Sequence, residues 1–423
     1  MTPGARIRAA IELLDKIEAA AFPADGVIAS YFGKRRYAGA KDRRAVRETV
    51  FAVLRARARL DRRIGPDACP RTRLIAHLAI SEGMGAKEIE ALFSGEGHHS
   101  ALLSAAEESL ARLAPPLETP EMPASTALEY PLWLDRALRR SFGEALAGEM
   151  AALNLPAPLD VRVNILKCSR DEAARMLCAD DIVSRPTPLS PLGLRLESRV
   201  RLESAAAFRN GLIEVQDEGS QLVALLVGAK PGMAVADICA GAGGKTLALA
   251  AAMKGEGELV AGDVSTRRMA AMGKRLSRAG VQNVTQTATV TGDEYRGRFD
   301  RVLVDAPCSG VGVWRRDVTA RWRLTAAEMQ EIINRQRAVL TAAALLPKAG
   351  GRMIYATCSL LTDENEDQVR WFLENHPGYS VIPVIGIWSD IIGGECPVKG
   401  PYLRLSPAAT GTDGFFAAVL ERN

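Results

Sequence analysis

From about position 206 onward, short apolar runs alternate with longer helical segments, and this alternation limits the possible folds more than any other feature of the chain. The runs at 233–238, 258–262, 300–305 and 351–357 are too short for core helices and rich in residues that favour strands. Helical stretches follow Gly244, Ser265 and Thr325. Parallel neighbours in a sheet need a crossover long enough to hold a helix, so strands alternating with helices predict a parallel sheet covered on both faces. A Rossmann-like α/β domain is therefore expected over 206–423.

A chain of 423 residues is too long for one ordinary domain. Positions 4–114 show helical periodicity, with Ile11, Leu14, Ile17 and Ala21 spaced to share one face. A proline-rich stretch at 115–125 reads as a linker. Positions 131–153 are helical, 156–167 read as a strand, and 177–203 mix both states. These textures predict three domains: an all-α domain over 1–120, a small α+β domain over 128–205 and the α/β domain over 206–423.

Charge is uneven. Between positions 31 and 63 lie twelve basic residues, namely Lys34, Arg35, Arg36, Lys41, Arg43, Arg44, Arg47, Arg55, Arg57, Arg59, Arg62 and Arg63, opposed only by Asp42, Glu48 and Asp61. Such an excess suits a polyanionic partner, but a solvated helix face explains it equally well. The first twenty residues mix charges and lack the apolar core of a signal peptide. No run approaches the roughly 20 apolar residues of a membrane span. The seven cysteines, at 69, 168, 178, 239, 308, 358 and 396, form no CxxC pair, and the four histidines have no metal-ligand spacing. A cytoplasmic protein with reduced thiols and no metal or membrane partner is the expectation.

Asp237-Ile238-Cys239-Ala240-Gly241-Ala242-Gly243-Gly244-Lys245-Thr246 joins an expected strand to an expected helix. Glycines there let a ligand approach the backbone at a helix N-terminus. Asp263 follows nineteen residues past Gly244, where a carboxylate can hold ribose hydroxyls. A phosphate loop needs glycine where Cys239 stands, and a nicotinamide loop needs a third glycine where Thr246 stands. A nucleoside held through its ribose, such as S-adenosylmethionine, fits better than either.

Two cysteines sit beyond strand ends: Cys308 in Asp305-Ala306-Pro307-Cys308-Ser309-Gly310, and Cys358 in Tyr355-Ala356-Thr357-Cys358-Ser359. Ligands of an open parallel sheet lie beyond the carboxyl ends of its strands, so both thiols and the glycine turn should share one rim. A lone cysteine is usually a small core residue; two at equivalent strand ends, each followed by serine, are not explained that way.

Together these motifs resemble the Sun/NOL1/NOP2 family of RNA cytosine-5 methyltransferases, over roughly 131 to the end. Phe208-Arg209-Asn210-Gly211 through Gln216-Asp217-Glu218-Gly219-Ser220-Gln221, Arg162-Val163-Asn164 and Gly411-Thr412-Asp413-Gly414-Phe415-Phe416 resemble further signatures of that family. Tyr37 to Arg44, followed by Val50 to Arg55, is similar to the NusB-like helical RNA-binding domain of the bacterial RsmB (Sun) type, which acts on 16S rRNA.

The resemblance implies S-adenosylmethionine as cofactor, held by Cys239, Ala240, Gly241, Ala242, Gly243, Gly244, Lys245, Asp263 and Asp305. It implies Cys358 as the nucleophile and Cys308 as the thiol that assists release, the reverse of the DNA cytosine-5 enzymes. Lys245 and Asp305 would line the base pocket, and Arg35, Arg36, Lys41, Arg43, Arg44, Arg162 and Asn164 would contact RNA. The chemistry needs a thiol because carbon 5 of cytosine is a poor nucleophile until a thiolate adds to carbon 6. Asp305 suits the hydrogen bond that this addition requires near ring N3. Two departures stand out: Ala242 replaces a usual proline, and 286–289 lacks a usual acidic residue, for which Asp293 is out of register. The same chemistry on tRNA or another rRNA, or a non-catalytic RNA-binding assembly factor, are the alternatives; no obligate protein partner is evident.

Overall fold

A computed structural model describes residues 1–197 and 200–423. Its contacts divide the chain into two compact units: Met1–Arg139 with Gly143–Leu155 and Trp314–Leu324, and Arg140–Phe142 with Pro156–Val313 and Thr325–Asn423.

The first unit is helical. Its main helices are Pro3–Glu18, Ala24–Gly33, Ala40–Arg55, Arg57–Ile64, Pro70–Ile80 and Ala86–Leu92. Of the residues expected to share one face, Ile11, Leu14 and Ile17 point into one core with Ile7, Val50, Leu54, Leu74 and Leu78, whereas Ala21 lies past the helix end and is exposed. Val318, from the segment that joins this unit across a long sequence gap, enters the same core. Arg321 of that segment is buried, and its guanidinium donates to the carbonyls of Glu129 (2.9 Å) and Leu153 (3.3 Å).

The second unit holds two sheets. The smaller is antiparallel, in the order β2-β3-β1-β4, from β1 (Leu159–Val163), β2 (Ser184–Pro186), β3 (Gly193–Leu196) and β4 (Ile213–Val215). The larger contains β5 (Ala234–Asp237), β6 (Glu258–Gly262), β7 (Val284–Thr287), β8 (Phe299–Asp305), β9 (Pro347–Thr357), β10 (Tyr379–Ile382), β11 (Leu403–Leu405) and β12 (Phe415–Arg422). Its order is β10-β12-β9-β8-β5-β6-β7, with β11 on β12. Strands β5 to β9 run parallel, and β12 is antiparallel to β9.

Side chains along these strands alternate between two cores. Val235, Leu259, Leu303 and Ile354 pack with Leu222, Leu249 and Met272 on one face. Ala236, Val260, Val304 and Tyr355 pack with Leu340 and Phe372 on the other. A sheet buried on both faces explains the continuous apolar runs that marked these strands. Each fully buried branched or aromatic residue contributes about 1.5–3 kcal/mol. Strands β10 and β11, which the sequence reading does not mark, are short and lie outside the parallel series.

Candidate functional site

Strand order reverses beside β5, and ligands of open α/β sheets bind at that point, beyond the carboxyl ends. The glycine turn leaves β5 here. Gly241 and Gly243 have φ of +56° and +82°, a backbone region that side-chain-bearing residues avoid. The turn is held from several sides. Asp263, just past β6, accepts the Gly241 N–H (2.8 Å) through one oxygen and the Ser265 N–H (2.8 Å) through the other. Arg275 donates to the Ala242 carbonyl (2.7 Å). Thr246 donates its hydroxyl to Asp237 Oδ2 (2.7 Å), whereas Asp237 Oδ1 is buried without a hydrogen-bond partner. Burial pushes the Asp237 carboxyl up to about 7 and the Cys239 thiol up to about 12. Ala240 is buried at the edge of the same core.

The two thiols meet. Cys308, three residues past β8, and Cys358, one past β9, place their sulfurs 3.3 Å apart. The Cys308 thiol is held well above its ordinary pKa, first by its hydrogen bond to Cys358 and then by burial. Beside them Lys245 Nζ donates to Asp305 Oδ2 at 2.7 Å and lies 5.4 Å from the Phe415 ring centre. Burial acts to lower the Lys245 pKa, but the Asp305 carboxylate outweighs it and the net direction is upward. Lys245 is thus paired with a carboxylate of the β8 strand end.

The C-terminal signature supports the thiol turns from behind. Gly312 N–H donates to the Cys358 carbonyl (2.9 Å), and Gly414 N–H donates to the Gly312 carbonyl (2.8 Å). A Cβ at Gly414 would lie 2.6 Å from Gly312 Cα, so the backbones cross where no side chain fits. Asp217 caps the helix Glu218–Leu226 through Gly219 N–H (2.8 Å) and accepts Asp413 N–H (3.1 Å), linking two signatures far apart in sequence.

A family profile described as 16S rRNA methyltransferase RsmB/F matches residues 224–421, and one described as the RsmF/B-like ferredoxin-like domain matches residues 130–203. A probable ribosomal RNA small subunit methyltransferase B from Synechocystis is 32% identical over 302 residues, 69% of this chain and 67% of that one. Ribosomal RNA small subunit methyltransferase B of Pseudomonas putida is 31% identical over 353 residues, 82% of this chain and 78% of that one. The chain belongs to the RsmB/F family of rRNA methyltransferases.

Two solved structures agree with the fold. PH0851 covers 100% of this chain and 99% of its own, at 26% identity and a TM-score of 0.79. A methyltransferase homolog from Pyrococcus horikoshii covers 71% of this chain and 97% of its own, at 28% identity and a TM-score of 0.61.

Within this family member, the residues singled out for RNA separate into two groups. Arg36, Lys41 and Arg44 are exposed on the helical unit, Arg44 paired with Glu48 (2.8 Å). Arg35 is half-buried over the Tyr31 ring, 3.7 Å from its centre, and Arg43 donates to the Ala38 carbonyl (2.7 Å). Arg162 and Asn164 do not face outward, contrary to the expectation of RNA contact. Arg162 is buried, its guanidinium bonding Gln216 and the Gly244 carbonyl (2.8 Å), and burial lowers its pKa to about 10. Asn164 donates to the carbonyls of Gly211 (2.9 Å) and Ala279 (3.0 Å). Arg162 thus ties the smaller sheet to the glycine turn, and Asn164 ties it to the end of the helix Thr266–Ala279.

One part of the site escaped the sequence reading. Glu364, Asn365 and Gln336 are fully buried under the thiol turns. Thr357 donates its hydroxyl to Asn365 Oδ1 (2.6 Å), and Asn365 donates to the Ser359 carbonyl (3.0 Å). The only signal was an acid six residues beyond Cys358, in a turn that reads as solvated. Among the described residues no group of metal-ligating side chains gathers, and no helix is long and apolar enough to cross a membrane.

Proposed function

We propose that this chain methylates carbon 5 of a cytosine in 16S rRNA, with S-adenosylmethionine as donor, through a covalent bond between Cys358 and carbon 6 of the base. The observation that carries the reading is the 3.3 Å contact of Cys308 and Cys358 at the ends of adjacent parallel strands, beside the Lys245–Asp305 pair. An rRNA substrate implies work in the cytoplasm.

The glycine turn fits such a cofactor. Left-handed glycines, a carboxylate past β6 and an unpartnered acceptor at Asp237 suit a ligand bearing ribose hydroxyls and an amino group. Residues 239–245 with Asp263 and Asp305 would hold it, and when bound it supplies an electrophilic methyl group. The chain's own groups do the rest. Cys358 adds to carbon 6, which makes carbon 5 nucleophilic. The Lys245–Asp305 pair faces the charge that builds near N3. Once carbon 5 is methylated, a base takes its proton, the freed electron pair re-forms the C5–C6 double bond and the Cys358 sulfur leaves as thiolate, its departure assisted by a hydrogen bond from the Cys308 thiol 3.3 Å away. The helical region over 1–120 supplies salt-dependent contacts to the RNA backbone through Arg35, Arg36, Lys41, Arg43 and Arg44, ahead of the small domain over 128–205 and the catalytic domain over 206–423.

Bisulfite sequencing of 16S rRNA from a strain lacking the gene tests the reading. One cytosine should lose its methyl group and regain it with wild-type protein but not with Cys358→Ala. An unchanged 16S methylation pattern would refute the substrate.

A further inference from the structure

Beneath the thiols lies a buried charge that the proposed chemistry leaves unused. Glu364 has no exposed surface. Its Oε1 accepts the Ser309 N–H (2.8 Å) and the Gln336 amide (3.0 Å). Its Oε2 accepts the hydroxyls of both Ser309 and Ser359. Those serines directly follow Cys308 and Cys358. Gln336 also donates to the Pro307 carbonyl (3.0 Å), on the other side of Cys308. The Tyr355 hydroxyl donates to the Glu364 carbonyl (2.6 Å), tying the acid to β9.

A carboxylate survives burial only when its lone pairs are met, and four donors meet this one. They come from a strand-end turn on β8, a strand-end turn on β9 and the helix Ala326–Ala343. Without the carboxylate, the two serine hydroxyls, 3.3 Å apart, retain each other and the Leu361 N–H that Ser359 accepts (3.2 Å), and Leu361 belongs to the β9 turn alone. The two turns would then be without the single group that bonds both.

We propose that Glu364 is a positioning residue: by holding Ser309 and Ser359 at once it keeps the two thiols in contact, and methyl transfer depends on it although it reaches the sulfurs only through the serines. The catalytic half of this statement rests on the function proposed above; the geometric half does not.

A thiol cross-linking measurement separates the two. Diamide takes two electrons and two protons from a pair of thiols, reducing its N=N bond to a hydrazine as the S–S bond forms. The sulfurs must close from 3.3 Å to about 2.05 Å, so the rate reports their relative placement without RNA or cofactor. In the full-length protein, Glu364→Ala should slow formation of the Cys308–Cys358 disulfide, followed by peptide mass spectrometry, by about tenfold. It should lower single-turnover methyl transfer by about a hundredfold, with KM for RNA little changed, as expected for misplacement of reacting groups. Glu364→Gln, which keeps one acceptor, should recover part of both losses. Where Glu364→Ala does not fold, Ser359→Ala removes the carboxylate's link to the Cys358 turn, together with the Ser359 bonds to Leu361 and Ser309, and should slow cross-linking in the same direction. A cross-linking rate equal to wild type in the folded variant would overturn the positioning role. Slowed cross-linking in a protein found not to methylate cytosine would uphold it and refute the proposed reaction instead.

Discussion

In the basic stretch of the helical unit, arginines lie partly exposed against carboxylates drawn from elsewhere in the chain: Arg35 on Glu12, Arg47 on Asp25, Arg57 on Glu18 and Arg59 on Glu118, with the buried Glu129 as a second partner of Arg59. At the thiol rim Lys245, Asp237 and Glu364 are buried, and each is held by specific partners: Lys245 on the partly exposed Asp305, Thr246 on Asp237, and two serines on Glu364. Counting charges along the sequence overstated the first region, because the acids that balance those arginines lie outside the stretch. It understated the second, because an acid within the run Asp363-Glu364-Asn365-Glu366-Asp367 reads as surface. Exposed pairs contribute about 0–1 kcal/mol each, whereas a buried group left without its partner costs about 1–3 kcal/mol or more. Single substitutions should therefore have large effects at the rim and small ones on the helical face.

Cys358→Ala should reduce methyl transfer by roughly three orders of magnitude or more, since covalent addition has no substitute. A rate near wild type would break the comparison at its strongest point. Cys308→Ala should reduce turnover about a hundredfold while a denaturation-resistant protein–RNA adduct accumulates; if Cys358→Ala accumulates the adduct instead, the two thiols exchange roles.

Asp237 tests buried charge without touching the thiols. Burial raises its carboxyl to about 7, so between roughly pH 4 and 7 the folded chain holds a proton that the unfolded chain has released. Stability contributed this way is present at the acidic end and is lost as pH rises through that window. Asp237→Asn keeps an acceptor for Thr246 and should remove a decline of roughly 2–4 kcal/mol. Melting temperatures of both proteins from pH 4 to 8 decide it, and parallel curves would show that Asp237 does not titrate there.

The smallest effect is expected on the helical face. Reversing the exposed Arg36 and Lys41 should weaken RNA binding several-fold and lower the salt slope by about 0.7 for each single-strand phosphate that is no longer neutralised. Binding that keeps both affinity and slope would make this a solvated surface.

The strands β5, β6, β8 and β9, the glycine turn and both thiols were legible along the chain because each depends on local pattern: a short apolar run, a glycine needing a left-handed backbone, a cysteine one to three residues past a strand. Arg162 and Asn164 were expected to contact RNA, yet both are buried; a signature of polar residues does not reveal that Arg162 on β1 and Asn164 just past it point inward. Glu364 and Gln336 were missed because their value lies in partners up to 55 residues away.

What the sequence determined by itself is the doubly covered parallel sheet and the convergence of two cysteines and a glycine turn on its carboxyl edge. Period-two burial and strand–helix alternation leave the chain no other way to hide those apolar runs. Only the tertiary structure decided that the sulfurs touch, that Lys245 answers Asp305, and that one buried carboxylate ties both thiol turns together. Those bonds join segments from different strands and helices, so they exist only once the sheet has set its strand order.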